Sequence, residues 1–354
     1  MYQRLRLIDE DFRVGREPPR APPSRFHINL GERCNLACVH CITDAPAKTR
    51  EQRAQVMSDA VLDALLPSLQ GASYLGLTHA GEPMVQPGFA RLLAHVGAHA
   101  PGERPVLHVL TNGAALDEAR FVELARAGVS SLSFSLDGLS AASNDVVRVG
   151  ARVERVLTKL RAFAALRREH RLDVRLGISW VCTALNLEEL PALVAFAGDA
   201  GLDWIKLEEL FVVHERAAHL AVPAADLRRA LAPVVAAASA RGIAVVDHTE
   251  SVPVWKCQLQ TQKKMARFSA ADDLANRTDI NPCRLPWEQV CVEPNGDVRP
   301  LSFHHPVAGN LLVEPLASLW ARGPFVEARA QAMRTRLCGA GPATCARDPG
   351  PRAW

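Results

Sequence analysis

The sequence lacks the features that mark several classes of protein. Its 41 Lys and Arg residues are nearly matched by 38 Asp and Glu residues, so the net charge is only +3. A balance this even gives no basic surface of the kind that binds nucleic acid or an anionic membrane. No apolar run approaches the roughly 20 residues that a membrane-spanning helix needs, and the N-terminal segment has mixed charge without the apolar stretch of a secretory signal. We therefore expect a cytoplasmic protein with no nucleic-acid or membrane partner.

Cysteine is the residue type that stands out. Three of the nine cysteines lie within eight residues, as Cys34, Cys38 and Cys41 in GERCNLACVHC, just after the apolar run 26–30. Thiolates crowded in this way favour a metal site in a reducing compartment. An iron-sulfur cubane has four irons, so three protein sulfurs would leave one iron open to another ligand. The alternative is a zinc site closed by His40, although structural zinc usually draws its ligands from two separated pairs.

From Arg25 onward the chain repeats one pattern: a short apolar run, a polar or glycine-containing loop, and a segment with helical periodicity. Six consecutive units of this kind predict an α/β fold with a parallel sheet and helices on its outer face. Because the pattern stops near residue 247, the fold is either a partial (β/α)6 TIM-like barrel or a doubly wound sheet. The strand-forming runs are 26–30, 74–78, 106–110, 131–135, 174–182 and 204–207, with a seventh short strand possible at 243–246.

Several loops follow these strands directly. In either fold the ligand site lies at the carboxyl ends of the strands, so the cysteine loop, HAGEP, TNG and LDG are expected to meet there. This convergence favours the cluster over zinc. Helix boundaries are indicated by Ser58 as an N-cap, by Gly128 as a helix end, and by Asn186 with Glu189 as a capping box.

The same loops, in this order, resemble motifs of the radical S-adenosylmethionine (radical SAM) superfamily over residues 25–247. CNLACVHC is similar to the C-x-x-x-C-x-aromatic-C loop of that family, with His40 in the aromatic position. AGEP, residues 80–83, resembles its Gly-Gly-Glu-Pro motif, with Ala80 in place of the first glycine. SLDG, residues 135–138, resembles its fourth-strand motif, and Arg148 stands where related enzymes often carry an arginine.

The resemblance implies a 4Fe-4S cluster on Cys34, Cys38 and Cys41, with S-adenosylmethionine on the open iron and His40 packed beside the cluster. An external reductant of the flavodoxin or ferredoxin type would then start reductive cleavage to a 5′-deoxyadenosyl radical. The implied contacts to S-adenosylmethionine are backbone groups of Ala80 and Gly81 and the Glu82 carboxylate for the amine, Arg148 for the carboxylate, Ser135 and Asp137 for the ribose, and Ile205 to Leu207 for the adenine. Ser135 and Asp137 could instead be turn-forming residues before Gly138.

The C-terminal part has a different composition. We divide the chain into a lead-in (1–24), the barrel (25–248), a linker or cover (249–282) and a C-terminal extension (283–354). The sequence PNGD predicts a β-hairpin there, and a helix with Leu316 and Trp320 follows. This part resembles the SPASM or twitch extension of the superfamily, in which further cysteines bind an auxiliary iron-sulfur cluster.

The extension departs from that pattern. Leu301 stands where a cysteine usually follows the hairpin. Cys283, Cys338 and Cys345 are left as auxiliary ligands, and a fourth could come from Cys257, Cys291, His304 or His305. Three outcomes stay open: a cluster with an unusual ligand, a fully ligated cluster, and a hairpin without a cluster.

The reaction is not fixed by the resemblance. On the interpretation that the short N-terminus leaves no room for a peptide-recognition domain, we expect a small hydroxylated substrate, an aminosugar or cyclitol, that is oxidised or epimerised. Glu208 and Glu209 could bind its amine, His304 or His305 could bind it or transfer a proton, and Cys182 could donate a hydrogen atom or simply be a buried apolar residue. The alternatives are a maturase that forms a thioether or carbon-carbon crosslink in a ribosomally made peptide, and a non-catalytic iron-sulfur or zinc protein.

Overall fold

The computed structural model describes residues 2–249 and 284–337. Cys257, Cys283, Cys338 and Cys345 lie outside the described residues, so the proposed auxiliary ligands stay predictions. The strands are β1 Arg25–Ile28, β2 Ala37–Cys38, β3 Tyr74–Leu77, β4 Val106–Thr111, β5 Val129–Ser135, β6 Arg148–Val149, β7 Arg175–Cys182, β8 Trp204–Glu209, β9 Ala244–His248, β10 Gln289–Val292, β11 Asp297–Pro300 and β12 Gly309–Asn310. The α-helices are α1 Tyr2–Val14, α2 Ala45–Arg50, α3 Asp59–Leu65, α4 Phe89–Gly97, α5 Glu118–Ala127, α6 Val153–Glu169, α7 Leu190–Ala200, α8 Ala224–Ala240, α9 Leu316–Trp320 and α10 Pro324–Leu337.

The main sheet confirms the partial barrel. Strands β1, β3, β4, β5, β7, β8 and β9 are parallel neighbours in the order in which they occur in the chain. A doubly wound sheet would reverse its strand order at a switch point, and these seven strands show no such reversal. The predicted seventh strand is present as β9.

The C-terminal hairpin extends this same sheet. Strand β10 runs parallel to β1, with Arg25 opposite Gln289, and β11 and β12 follow as antiparallel strands. The turn at PNGD is therefore confirmed. The extension continues the barrel sheet beyond β1, which the sequence pattern did not predict.

Helices cover one face of the sheet, because alternate strand residues are apolar and face them. Leu75 and Leu77 belong to the main core, for example, whereas Gly76 between them points to the opposite face. Two predicted helix boundaries are confirmed. The Ser58 hydroxyl accepts a hydrogen bond from the Val61 N–H at 3.3 Å, and Gly128 ends α5 with φ +118°.

The capping box predicted at Asn186 and Glu189 is wrong. Asn186 does not cap the helix, and its amide instead donates to the carbonyl oxygens of Asp137, at 3.0 Å, and Val181, at 2.8 Å. The Glu189 carboxylate accepts from the Leu139 N–H at 2.7 Å. Both side chains thus bond to the loop after β5 rather than to the first turn of the helix.

The lead-in contains a helix that the sequence analysis missed. Helix α1 buries Ile8 and Phe12 against Trp287, and the rings of Phe12 and Trp287 meet edge to face at 5.4 Å. The buried guanidinium of Arg329 in α10 pairs with Glu17 at 2.6 Å. The N-terminal segment is thus packed on the start of the C-terminal hairpin.

The face of the sheet opposite the helices is closed at the amino ends of the strands by an aromatic floor, formed by His27, Tyr74, His108 and Trp204. Successive ring centroids in this floor lie 5.5, 6.4 and 5.8 Å apart. Burial, reinforced by the nearby charge of Arg25 for His27 and of Lys206 for His108, lowers the pKa of both histidines to about 3. Both are therefore neutral in the folded protein. No helix in the described ranges is long and apolar enough to cross a membrane.

The first prediction concerns the docking of α1. Phe12→Ala should lower the free energy of unfolding by about 3–5 kcal/mol, because it removes a fully packed ring from a buried cluster. Urea unfolding measures the change. Val14→Ala in the same helix is the control and should change stability by less than about 0.5 kcal/mol, since Val14 is 67% exposed. Equal stability of the two variants would contradict the packing of α1 on Trp287.

The second prediction concerns pH. Because folding lowers the pKa of His108 from 6.5 to about 3, the unfolded chain takes up a proton below pH 6.5 that the folded protein excludes. The contribution of neutral His108 to stability is complete above pH 6.5 and is lost as the pH falls toward 3. Between about pH 7.5 and about pH 5, His108→Gln should therefore lose about 2 kcal/mol less stability than the wild type. An equal pH dependence of stability in the wild type and in His108→Gln would contradict the prediction.

Candidate active site

The cysteine loop lies at the carboxyl end of β1. Cys34, Cys38 and Cys41 are all partly buried, and the Cys34 N–H donates to the Thr49 hydroxyl at 3.0 Å. Cys38 lies in β2, which pairs antiparallel with β6 so that Cys38 is opposite Arg148. The arginine identified from the sequence is thus joined to the cysteine loop by backbone pairing.

The environment of the thiols suits a positively charged metal group. Burial raises the pKa of Cys34, and raises that of Cys38 to about 11, so these thiolates need a neighbouring cation to form at neutral pH. The Nδ1 atom of His40, between Cys38 and Cys41, is buried and has no hydrogen-bond partner among the described residues. In those residues no three His, Cys, Asp or Glu side chains are placed to hold a single metal ion. The donor set, three thiols on one short loop, fits an iron-sulfur cluster by its chemistry.

The AGEP loop packs directly on the backbone that enters the cysteine loop. Gly81 has φ +71°, and a Cβ atom there would lie 2.5 Å from the Gly31 carbonyl oxygen and 2.6 Å from that of Arg33. The Glu82 N–H donates to the same Arg33 oxygen at 2.8 Å. Ala80 is buried. Only glycine fits at position 81, both for its backbone conformation and for the space.

The Glu82 side chain joins AGEP to the TNG loop. Its Oε1 accepts from the Thr111 hydroxyl at 2.7 Å, and its Oε2 from the Asn112 N–H at 2.8 Å. The Asn112 amide in turn donates to Asn35 of the cysteine loop at 2.8 Å. Burial raises the pKa of Glu82, whereas the bonds from Asn112 and Thr111 lower it. Thr111 and Asn112 were given no role from the sequence, although their position after a strand was the available signal.

Asp137 in the loop after β5 joins the other side of the site. Its carboxylate is fully buried, and Oδ2 lies 2.7 Å from Nε of Arg148 and 3.1 Å from Nε2 of His40. Oδ1 accepts from the Val181 N–H at 2.8 Å. Although burial alone would raise it, the charges of Arg148 and His40 lower the pKa of Asp137 to about 2. Ser135, by contrast, is partly exposed at the end of β5.

Strand β8 divides its residues between the two faces of the sheet. Ile205 and Leu207 are fully buried in the helix-covered core, so their backbone rather than their side chains is placed to meet a ligand. Lys206 and Glu208 alternate with them, point to the opposite face, and form an ion pair at 2.5 Å. Glu209 is partly buried, which raises its pKa. Lys206 was not identified from the sequence.

The two cysteines on described strands outside the loop occupy different faces. Cys182 is buried in the main core with Ile178 and Trp180, its alternate neighbours on β7. That position is turned away from the face on which a hydrogen-atom donor is needed. Cys291 is opposite His27 in the β1–β10 pair and is buried, which raises its pKa well above the ordinary value.

The loop after the hairpin reaches the AGEP loop. Phe303 stacks on His79 with ring centroids 3.8 Å apart and planes inclined by 9°. His304 is exposed, whereas His305 is buried with its Nδ1 2.9 Å from the Ser302 hydroxyl. Neither His79 nor Phe303 was singled out from the sequence, because a stacking contact between distant segments leaves no local pattern.

Leu301 has an apolar environment. It is buried with Leu285 and Ala328 and has φ +62°. The position at which a SPASM-type extension usually carries a cysteine is therefore occupied by a packing residue.

A segment after β8 covers the cysteine loop from outside. The Arg216 guanidinium donates to the Val39 carbonyl oxygen at 3.0 Å and to Asp44 at 2.9 Å. Ala217 and Leu220 pack on Val147 in a small buried cluster. The loop is thus held from three sides, by β6, by AGEP and by this segment.

The geometry of AGEP gives a testable prediction. Gly81→Ala should cost about 1–3 kcal/mol of stability and should reduce the iron bound per chain, because the loop must move off the backbone of residues 31–33. Chemical unfolding and iron analysis measure the two effects. Gly102→Ala is the matched control, since a Cβ there meets nothing within 4 Å. If Gly81→Ala binds iron and unfolds like Gly102→Ala, the close packing does not exist.

The comparisons with known proteins agree with this site. Residues 28–197 match the model of the Radical SAM superfamily. The PqqA peptide cyclase of Xanthomonas euvesicatoria pv. vesicatoria is 30% identical over 329 residues, which cover 90% of this chain and 79% of the relative. The GTP 3′,8-cyclase of Caulobacter vibrioides is 32% identical over 193 residues, 52% of this chain and 51% of that protein.

A solved structure shares the fold. The crystal structure of Streptococcus suis SuiB bound to precursor peptide SuiA has a TM-score of 0.60 at 18% identity, covering 92% of this chain and 70% of SuiB. The family match and the long similarity to a peptide cyclase agree with the cysteine triplet, the AGEP loop and the parallel sheet. The chain belongs to the radical SAM superfamily, whose members bind a 4Fe-4S cluster and S-adenosylmethionine.

Proposed function

We propose that this radical SAM enzyme modifies a peptide, by forming a thioether or carbon-carbon crosslink within it. The extent of the similarities carries this proposal. The match to the PqqA peptide cyclase covers 90% of the chain, whereas the match to the GTP 3′,8-cyclase covers 52%. The similarity to the peptide enzyme thus continues well beyond the length of a barrel alone.

The expectation of a small hydroxylated substrate is wrong. It depended on the short N-terminal segment, and the similarity of nearly the whole chain to a protein named PqqA peptide cyclase overturns it. The structural match to SuiB with its precursor peptide agrees with this correction at the level of the fold. The small-molecule partner is withdrawn for the same reason, while the external one-electron reductant stays a prediction.

The cofactor roles are assigned to residues that the structure gathers at one edge of the sheet. Cys34, Cys38 and Cys41 would hold the cluster. Backbone groups of Gly81 would meet the amine of S-adenosylmethionine, and Arg148 its carboxylate, to which a guanidinium fork is suited. When bound, a reduced cluster and S-adenosylmethionine supply hydrogen-atom abstraction from a carbon of the substrate.

Glu82 stabilises the relative positions of the AGEP and TNG loops. Both of its oxygens have protein donors in the TNG loop, so its main role is to hold the AGEP backbone in place. Ser135 is the more accessible member of the SLDG motif and is assigned to the ribose.

The face of the barrel opposite the helices offers contacts for a peptide side chain. Lys206 and Glu208 are charged, partly exposed and paired there. Charged groups that stay accessible on this face can form ion pairs or charge-assisted hydrogen bonds with a polar group of a peptide. The stacked pair of His79 and Phe303 lies on the hairpin side of the same opening.

The proposal is tested by anaerobic reconstitution with iron and sulfide, followed by incubation with S-adenosylmethionine and a strong reductant. PqqA, SuiA and a cyclitol serve as three separate probes. We expect 5′-deoxyadenosine in the wild type and, by mass spectrometry, loss of two hydrogens from a peptide probe. Cys38→Ala should abolish both signals because it removes a cluster ligand.

Cys182→Ala is the matched control for loss of a cysteine. The Cys182→Ala variant should keep both signals, because Cys182 is buried in the helix-covered core. If the variant formed 5′-deoxyadenosine but no product, Cys182 would again be a candidate hydrogen-atom donor. Turnover of the cyclitol with both peptides unchanged would refute the peptide assignment. Zinc in place of iron, with no 5′-deoxyadenosine above background, would favour a non-catalytic protein.

A further inference from the structure

The Asp137 carboxylate lies at the centre of one side of the site. It is 0% exposed and has contacts with three different elements: the Val181 N–H on β7 at 2.8 Å, Nε of Arg148 on β6 at 2.7 Å, and Nε2 of His40 in the cysteine loop at 3.1 Å. A buried carboxylate is tolerated only when its charge is balanced and its oxygens are engaged. Arg148 and His40 balance the charge through ion pairs at Oδ2, and the Val181 N–H donates a hydrogen bond to Oδ1.

The turn itself does not need this carboxylate. The Asp137 N–H donates to the Asn144 side chain at 2.9 Å, and the Asp137 carbonyl accepts from the Asn186 amide at 3.0 Å. Gly138 is required because a Cβ there would lie 2.1 Å from the Ser143 hydroxyl. Because these groups fix the backbone of the loop, the Asp137 side chain is available to contact residues outside the loop.

Both side-chain partners of Asp137 flank one cluster ligand. Arg148 is opposite Cys38 in the β2–β6 pair, and His40 is two residues beyond Cys38 in the chain. A single carboxylate therefore connects the strand that carries the arginine with the loop that carries the thiols.

The contact atoms determine which edges of the two partners remain for ligands. A carboxylate at Nε of Arg148 leaves the edge formed by the two terminal nitrogens for a second carboxylate. A carboxylate at Nε2 of His40 fixes the orientation of the ring and turns Nδ1 away from Asp137. That Nδ1 is the buried atom without a partner among the described residues.

We propose that Asp137 is a positioning residue that orients Arg148 and His40 together, so that the carboxylate of S-adenosylmethionine and the cluster loop are held in one fixed arrangement. This inference rests on the proposed cofactor roles, and it replaces direct contact of Asp137 with the ribose. It requires no contact between Asp137 and either cofactor.

The test uses Asp137→Asn, which keeps the shape of the side chain and removes its charge. Iron and sulfide per chain should stay at the wild-type level, because the three cysteines are intact. The dissociation constant for S-adenosylmethionine should rise by about tenfold or more, the size of effect typical of losing a supporting contact around a metal site. The change that S-adenosylmethionine causes in the electron paramagnetic resonance spectrum of the reduced cluster should be diminished.

Asp11→Asn is the matched control. Asp11 is also 0% exposed and also paired with two arginines, Arg16 at 3.0 Å and Arg20 at 2.6 Å, but it lies in α1. It should lower the melting temperature without changing the dissociation constant or the spectrum. Wild-type affinity and spectrum in Asp137→Asn, or equal changes in both variants, would overturn the proposal.

A second measurement keeps Asp137 in place and covers the case in which Asp137→Asn does not fold. His40→Gln, Arg148→Gln and the double variant are compared for binding of S-adenosylmethionine. If Asp137 couples the two residues, the fold-change of the double variant is smaller than the product of the two single fold-changes. A simple product would overturn the proposal.

These readouts are independent of the substrate. A wild type that binds iron and S-adenosylmethionine but leaves every peptide unchanged would refute the peptide assignment, while the role of Asp137 would still be measured.

Discussion

Two buried carboxylates hold the loops of the site together. A parallel sheet brings the loops after its strands to one edge, but proximity alone does not fix their relative positions. Glu82 binds the TNG loop from AGEP, and Asp137 binds Arg148 and His40 from the loop after β5. Because an unpaired buried carboxylate is costly, each loop is stable only where it meets its donors. The free-energy cost of an unpaired buried carboxylate thus fixes the relative positions of these loops.

The sequence was sufficient for the succession of strands and helices along the barrel part of the chain and for the place of the loops, because apolar periodicity and strand-to-loop succession are local properties. It was insufficient where a side chain had a choice of partners. Asn186 and Glu189 have the residue types and the spacing of a capping box, yet both bond to the loop after β5. A cap is predictable only when no tertiary donor or acceptor competes for the same side chain. Helix α1 was missed because its apolar residues are buried only by packing on Trp287, which lies far away in the sequence.

The site was predictable as a set of loops and less so as a set of roles. Cys34, Cys38, Cys41, Glu82 and Arg148 were identified from motifs. Thr111 and Phe303 were not, since each gains its importance from a contact with a distant segment. The faces of the strands were a further difficulty. Cys182 and Ile205 lie on the helix-covered side, and only the register of the whole strand distinguishes the two faces. The substrate class was misjudged because it was inferred from the short N-terminal segment, which lies outside the motifs.

The hairpin connects the C-terminal part of the chain to the barrel sheet. Strand β10 pairs with β1, so the extension lies directly beside the strand that leads into the cysteine loop. Phe303 then stacks on His79, next to the AGEP motif. A peptide that contacts the extension would therefore press on elements that also position the cofactors. Leu301 packs in an apolar cluster. The contact between the loop after the hairpin and the AGEP loop therefore needs no metal ligand at position 301. The hairpin and the strand that leads into the cysteine loop are thus joined directly by backbone pairing.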